Sequence, residues 1–214
     1  MARQQQARPG KRYPLLLYQR LFESLRSRAL LLAALAYVLW LIAVDIPLLA
    51  PRDWLLLVVV ALAGLLFLFS YIGPKLAFVQ CRPKFMLVST PLYRIALSYG
   101  RMRSARPTDF TESYAIDSQK WSQRRFLRSL FKYADAGQLT AIEVELKKFP
   151  FSERWLRLWM SRYMFAVKSD GLLLLVRDWM SLSREIEDYR GAYVRRRTAR
   201  RRPKGQSINP FARW

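Results

Sequence analysis

The sequence has no histidine and a single cysteine, Cys81, in 214 residues. Without imidazole there is no Ser-His triad, no HExxH helix and no ready proton switch near neutral pH. One thiol cannot close an intramolecular disulfide and does not make a cysteine-rich zinc site. The loops GxxxxGK[ST] and GxGxxG, which cradle nucleotide phosphates, are missing. Acidic residues are scarce: 15 Asp and Glu stand against 37 Lys and Arg, a net charge of +22. No catalytic, cofactor-binding or metal-binding residue is therefore expected, and no small-molecule substrate. A chain this basic suits a polyanion, either an anionic lipid surface or nucleic acid.

What is present first is apolar sequence, crowded into the first third. Residues 29–50 read ALLLAALAYVLWLIAVDIPLLA and residues 54–72 read WLLLVVVALAGLLFLFSYI. Each run is close to the roughly 20 residues that cross a bilayer core, and each is apolar all round. Two buried core helices would need covering that the rest of the chain does not supply. A span is expected in preference to a secretory signal, because the first run is long and a second span follows with almost no spacer. Asp45 and Pro47, toward the end of the first run, and Pro51, Arg52 and Asp53 just after it predict a tight, water-exposed turn, so Asp45 needs no role as an intramembrane carboxylate. Residues 29–74 are thus expected to form a transmembrane helical hairpin. Gly73-Pro74 is expected to break the second helix, and Ala61, Ala63 and Gly64 are candidates for close helix packing.

Arg3, Arg8, Lys11, Arg12, Arg20, Arg26 and Arg28 precede the first span, and Lys75, Arg82, Lys84 and Arg94 follow the second; only Arg52 lies between. That asymmetry predicts a multi-pass protein of the cell membrane with both termini cytoplasmic. Residues 1–28 form a basic segment whose stretch Tyr13–Arg28 is amphipathic. It either lies along the inner surface or extends the first span.

Residues 76–193 change character and predict a cytoplasmic α+β domain with a mainly antiparallel sheet. Lys84–Ser89, Leu92–Gly100, Arg101–Phe110 (disrupted by Pro107) and Leu139–Phe149 read as strands. Tyr163–Val176 reads as a β-hairpin turning at Asp170-Gly171. Ser118–Gly137 reads as a basic amphipathic helix, and a short helix capped by Ser152 follows Pro150. The last helix starts at Asp178, with Trp179, Leu182, Ile186 and Tyr189 as its buried stripe. Residues 194–214 read as a flexible basic tail.

Two spans followed by TPLYRIALSYGRMRSARP resemble the membrane-tethered bacterial proteins with a pleckstrin-homology-like domain. Tyr93-Arg94-Ile95 and Arg101-Met102-Arg103-Ser104-Ala105 carry the likeness, and Tyr163–Tyr189 fits that fold's final hairpin and helix. The resemblance implies a partly open barrel capped by a C-terminal helix, serving as a scaffold. It implies no phosphoinositide-binding residues.

The candidate lipid- or polyanion-binding residues are Arg124, Arg125, Arg128 and Lys132 on the basic helix, and Arg195, Arg196, Arg197, Arg200, Arg201 and Arg202 in the tail. Trp121, Phe126 and Phe131 either insert among headgroups or pack in the core. Glu143 and Glu145 read as a solvated strand face, and Cys81 as an inert thiol or a palmitoylation site. The expected function is that of a non-enzymatic membrane-anchored adaptor or scaffold, contacting the anionic inner leaflet, a protein partner yet to be identified, or both. The alternatives are membrane-tethered RNA binding through the arginine-rich tail, and an accessory subunit of a larger membrane complex.

Overall fold

The computed structural model describes residues 9–44, 53–114, 119–133, 139–167 and 169–201. Among the described residues, seven strands and six α-helices follow one another: β1 (Arg12–Pro14), α1 (Leu16–Val44), α2 (Asp53–Leu76), β2 (Phe78–Cys81), β3 (Phe85–Ser89), β4 (Arg94–Ser98), β5 (Met102–Asp109), α3 (Phe110–Tyr114), α4 (Trp121–Leu130), β6 (Thr140–Leu146), α5 (Glu153–Trp159), β7 (Gly171–Leu174) and α6 (Trp179–Arg201). The protein is α+β, with two open antiparallel sheets ordered β1-β2-β3-β4 and β5-β6-β7.

Helices α1 and α2, of 29 and 24 residues, pack antiparallel and are long and apolar enough to cross a membrane. Only 11% of the most apolar stretch of each is buried within the protein, whereas a soluble core helix would be covered. Their seam is made by Ala29, Ala36 and Ala63; Ala61 and Gly64 face outward, and nothing lies within 4 Å of where a Gly64 Cβ would stand. The close approach occurs instead at Gly73, where a Cβ would sit 2.4 Å from the Phe22 ring. The expected break at Gly73-Pro74 is corrected: α2 continues to Leu76. Pro74 falls in the last turn, where it deprives only the Ser70 carbonyl of its donor. The expected turn between the helices falls at residues 45–52, outside the described residues.

The strand patterns hold where side chains alternate. In β4 Ile95 and Leu97 are buried, and in β6 Ile142, Val144 and Leu146 are. Pro107 is accepted because β5 is an edge strand of its sheet. Ser152 caps α5, accepting the Trp155 N–H at 3.4 Å. The expected hairpin at Tyr163–Val176 is corrected: its first arm is a 3-10 turn, Arg162–Met164, followed by one bridge, Phe165 to Leu172. Tyr163, Met164 and Phe165 are all buried in succession, which an alternating strand does not allow.

The N-terminal segment departs most from expectation. Of its two readings, surface helix or extension of the first span, the second is observed, and it starts inside the folded domain. Ahead of α1, β1 pairs with β2, with Tyr13 opposite Val79. Leu15 N–H donates to Ala77 O at 3.1 Å, and Leu16 N–H to Leu175 O at 3.0 Å. Tyr13, Leu15, Leu16, Leu17, Tyr18 and Phe22 are buried in the same core as Val79, Ile95, Val144, Leu174 and Leu182. Chain from both sides of the helical hairpin therefore builds one core. At the other terminus, α6 runs to Arg201, past the expected boundary at Tyr193; residues 202–214 lie outside the described residues.

Candidate functional site

The strands give the domain two ends. β2 leaves α2 at Phe78, opposite Pro14 and Ser89, so these residues and the Thr90–Tyr93 turn lie at the hairpin end. Gly10, Cys81, Phe85 and Ser98 lie at the far end, about 10–16 Å away for strands of this length.

Helix α4 sits at the hairpin end. Its Ser129 hydroxyl accepts from Arg20 Nε of α1 at 2.8 Å, and Phe126 stacks on Tyr163 at 5.9 Å. Leu127 and Leu130 are fully buried, with Phe126 and Phe131 packed partly against the core. Trp121, Arg125, Arg128 and Lys132 step by three and four residues along the opposite face. Trp121 is 74% exposed and carries the Arg125 guanidinium at 5.6 Å over its ring. Arg124, half-buried, edges that face. Of the aromatics with two readings, Phe126 and Phe131 belong to the core and Trp121 is outside.

Helix α6 crosses the far ends of the strands. Asp178 pairs with Lys11 at 3.5 Å, Glu185 abuts Gly10, and Tyr189 and Tyr193 meet Tyr99 at 6.3 and 6.1 Å. Arg197 reaches beside Gly100. Arg195, Arg196, Arg197, Arg200 and Arg201 fall in the last turns of α6, past its contacts with Tyr99 and Gly100 at the far end, and Arg202 lies outside the described residues. The expected cations form two clusters at opposite ends of the domain, not one.

Between α3, α5 and residues 162–167 lies an open groove of about 410 Å³, lined by Tyr114, Gln119, Arg157, Arg162 and Tyr163 among others. The Tyr114 hydroxyl donates to the Arg162 and Phe165 carbonyls at 2.9 and 2.6 Å, and burial, with Tyr163 beside it, pushes its pKa up to about 12. Arg157 is held by Glu153. Among the described residues the groove offers the cations Arg157 and Arg162 and the Tyr114 and Tyr163 hydroxyls to an anion.

Glu143 accepts from Thr108 and Ser169, and Glu145 from Ser104 at 2.9 Å and Arg103 at 3.0 Å. The Ser104 hydroxyl, then the Arg103 guanidinium, hold the Glu145 carboxyl below its ordinary value. Cys81 is buried in β2, and desolvation, with the Glu185 charge adding, pushes its thiol up to about 12. Such a thiol is a poor nucleophile. Among the described residues no three His, Cys, Asp or Glu gather to hold a metal ion.

Sequence reasoning missed the role of Arg20 as the tie between α1 and α4, because its partner lies 109 positions away. No family model, no curated protein and no solved structure matches the chain, so the reading of this surface rests on its own geometry.

Proposed function

We propose that this protein is a non-enzymatic, membrane-anchored adaptor of the bacterial cell membrane. The α1–α2 hairpin spans the bilayer, both termini are cytoplasmic, and the domain contacts anionic headgroups through the basic face of α4. The observation that carries this reading is the tie between Arg20 and Ser129, which sets α4 against the base of a hairpin whose apolar flanks the protein leaves uncovered. From Trp54 to Tyr71 the rise is about 26 Å, near the thickness of a bilayer core. Arg26 and Lys75 lie over the Tyr71 ring at 5.3 and 4.7 Å, an arrangement suited to the headgroup level. The excess of Arg and Lys at the domain end favours the cytoplasmic side for it.

Cations near an anionic leaflet contribute about 1 kcal/mol each, so Arg125, Arg128 and Lys132 together make a useful but not sufficient anchor. The hairpin does the anchoring, and α4 orients the domain. The α6 arginines stand a further 10–16 Å back, where the potential at physiological salt has fallen to roughly a third to a seventh. Two open antiparallel sheets followed by a helix support the pleckstrin-homology-like reading, with Arg94 and Ile95 opening β4 and Met102–Ala105 opening β5.

The far-end position of Arg195–Arg201 favours a second reading, in which these cations hold RNA that a protein on the membrane can reach from solution. The full chain in nanodiscs separates the two. Amide exchange of residues 121–133 should slow in phosphatidylglycerol relative to phosphatidylcholine, and the difference should vanish at high salt. Equal exchange in both lipids sinks the headgroup contact. Salt-sensitive RNA capture by the reconstituted protein, lost on replacing Arg195–Arg197 by alanine, favours the second. Gentle solubilisation and pull-down then address the protein partner.

A further inference from the structure

Helix α5 carries an apolar stripe on its outer side. Trp155 and Leu158 of α5 are 48% and 70% exposed, as is Phe151 just ahead of its Ser152 cap at 53%, while Leu156 and the following Met160 are buried. A short amphipathic helix needs only the second set for the core; the first set makes just edge contacts, Trp155 with Trp159 at 5.8 Å and Phe151 with Tyr93, and leaves most of its apolar surface bare. The two ends of α5 locate it. At one end the Phe151 ring meets Tyr93 at 6.4 Å, in the turn that carries Leu92, itself 67% exposed. At the other end Ser161 N–H donates to the Tyr18 hydroxyl at 3.1 Å, in the first turn of α1. Both anchor points belong to the hairpin end of the domain. Leu15 is bonded to Ala77, two residues past Lys75, where the charge-free run of α2 stops. Helix α5 thus lies across the end of the domain from which the hairpin leaves. Its buried side is turned to the core and its apolar side away from it. Arg154, exposed on the same helix, stands beside the stripe.

We infer that Trp155 and Leu158 of α5, with Phe151 just ahead of its cap and Leu92 of the β3–β4 turn, dip into the headgroup–acyl boundary of the leaflet that the hairpin enters, making α5 a second, in-plane membrane contact. This inference rests on the reading of α1–α2 as a bilayer hairpin. A lipid surface fits better than a protein groove because the stripe lies on the end of the domain from which the spans leave. It also pairs bulky apolar and indole side chains with flanking arginine, the composition of interfacial helices.

The test uses the full chain in phosphatidylcholine–phosphatidylglycerol nanodiscs, carrying one environment-sensitive dye on Trp155→Cys or Leu158→Cys. Buried Cys81, with its raised thiol pKa, leaves the introduced cysteine as the reactive one. Dyes on Lys84→Cys, at the far end, and on Leu62→Cys, outward on α2, serve as references. The two α5 positions should be quenched by lipids bearing a nitroxide high on the acyl chain. They should also be shielded about fivefold or more from an aqueous quencher relative to position 84. Aqueous access at 155 and 158 equal to that at 84, with position 62 still quenched by lipid, overturns the α5 contact and leaves the hairpin standing. Loss of lipid quenching at 62 overturns the hairpin reading itself. Shielding at 155 and 158 without lipid quenching means that protein covers the stripe, and that also overturns the inference.

Discussion

Residues 9–28 are cut off in sequence from the rest of the core by the whole helical hairpin, so a fragment beginning at Leu76 should not fold. Such a fragment looks self-sufficient by length. It lacks β1, which leaves β2 as an unpaired edge, and it lacks Leu15, Leu16, Leu17 and Phe22, all buried to 3% exposure or less. At about 1.5–3 kcal/mol for each buried aliphatic or phenyl side chain, these four alone account for roughly 6–12 kcal/mol. Tyr13 and Tyr18 add to that. Whole domains are stable by about 5–15 kcal/mol, so little or nothing remains. The measurement is thermal unfolding of residues 76–214, followed by circular dichroism and by amide chemical-shift dispersion. The expected result is no cooperative transition and poor dispersion. A companion version replaces the hairpin by a flexible linker, joining residues 9–24 to 73–214. Helix axes in contact are about 8–10 Å apart, and roughly four Gly/Ser residues cover that distance. This version should regain a cooperative melt. A sharp transition in the 76–214 fragment alone would refute the claim that chain on both sides of the hairpin shares one core.

At the helix crossing, Gly73→Leu should destabilise the protein by about 1–3 kcal/mol through overpacking against Phe22, and Phe22→Ala in the same chain should recover part of the loss; unfolding in nanodiscs reads both. Glu145 has a lowered pKa, so its contribution is present above the ordinary glutamate range and is lost as pH falls through the lowered value. Carboxyl NMR titration should find it depressed, and Ser104→Ala should move it back upward. Cys81 should resist a thiol reagent at pH 8 in the folded protein and react on unfolding; ready labelling of the native protein would contradict its place in β2.

The two apolar helices, the period-two strands β4 and β6, the Ser152 cap and the stripe of α6 were all legible in the sequence. Each depends on neighbours within a turn or two, and spacing alone reports them. The same absences that removed imidazole and disulfide chemistry were legible as well. Tertiary structure alone decided that the segment before the hairpin is a strand and a core element of the domain after it. Tyr18 and Ser161 are 143 positions apart, Arg20 and Ser129 are 109, and no local pattern encodes such pairings. Two arginine clusters that look equivalent by composition were sent to opposite ends of the domain, α4 to the base of the hairpin and α6 beyond Gly100. Charge runs specify how strongly a surface attracts an anion, but the packing of the apolar faces behind them specifies where that surface points.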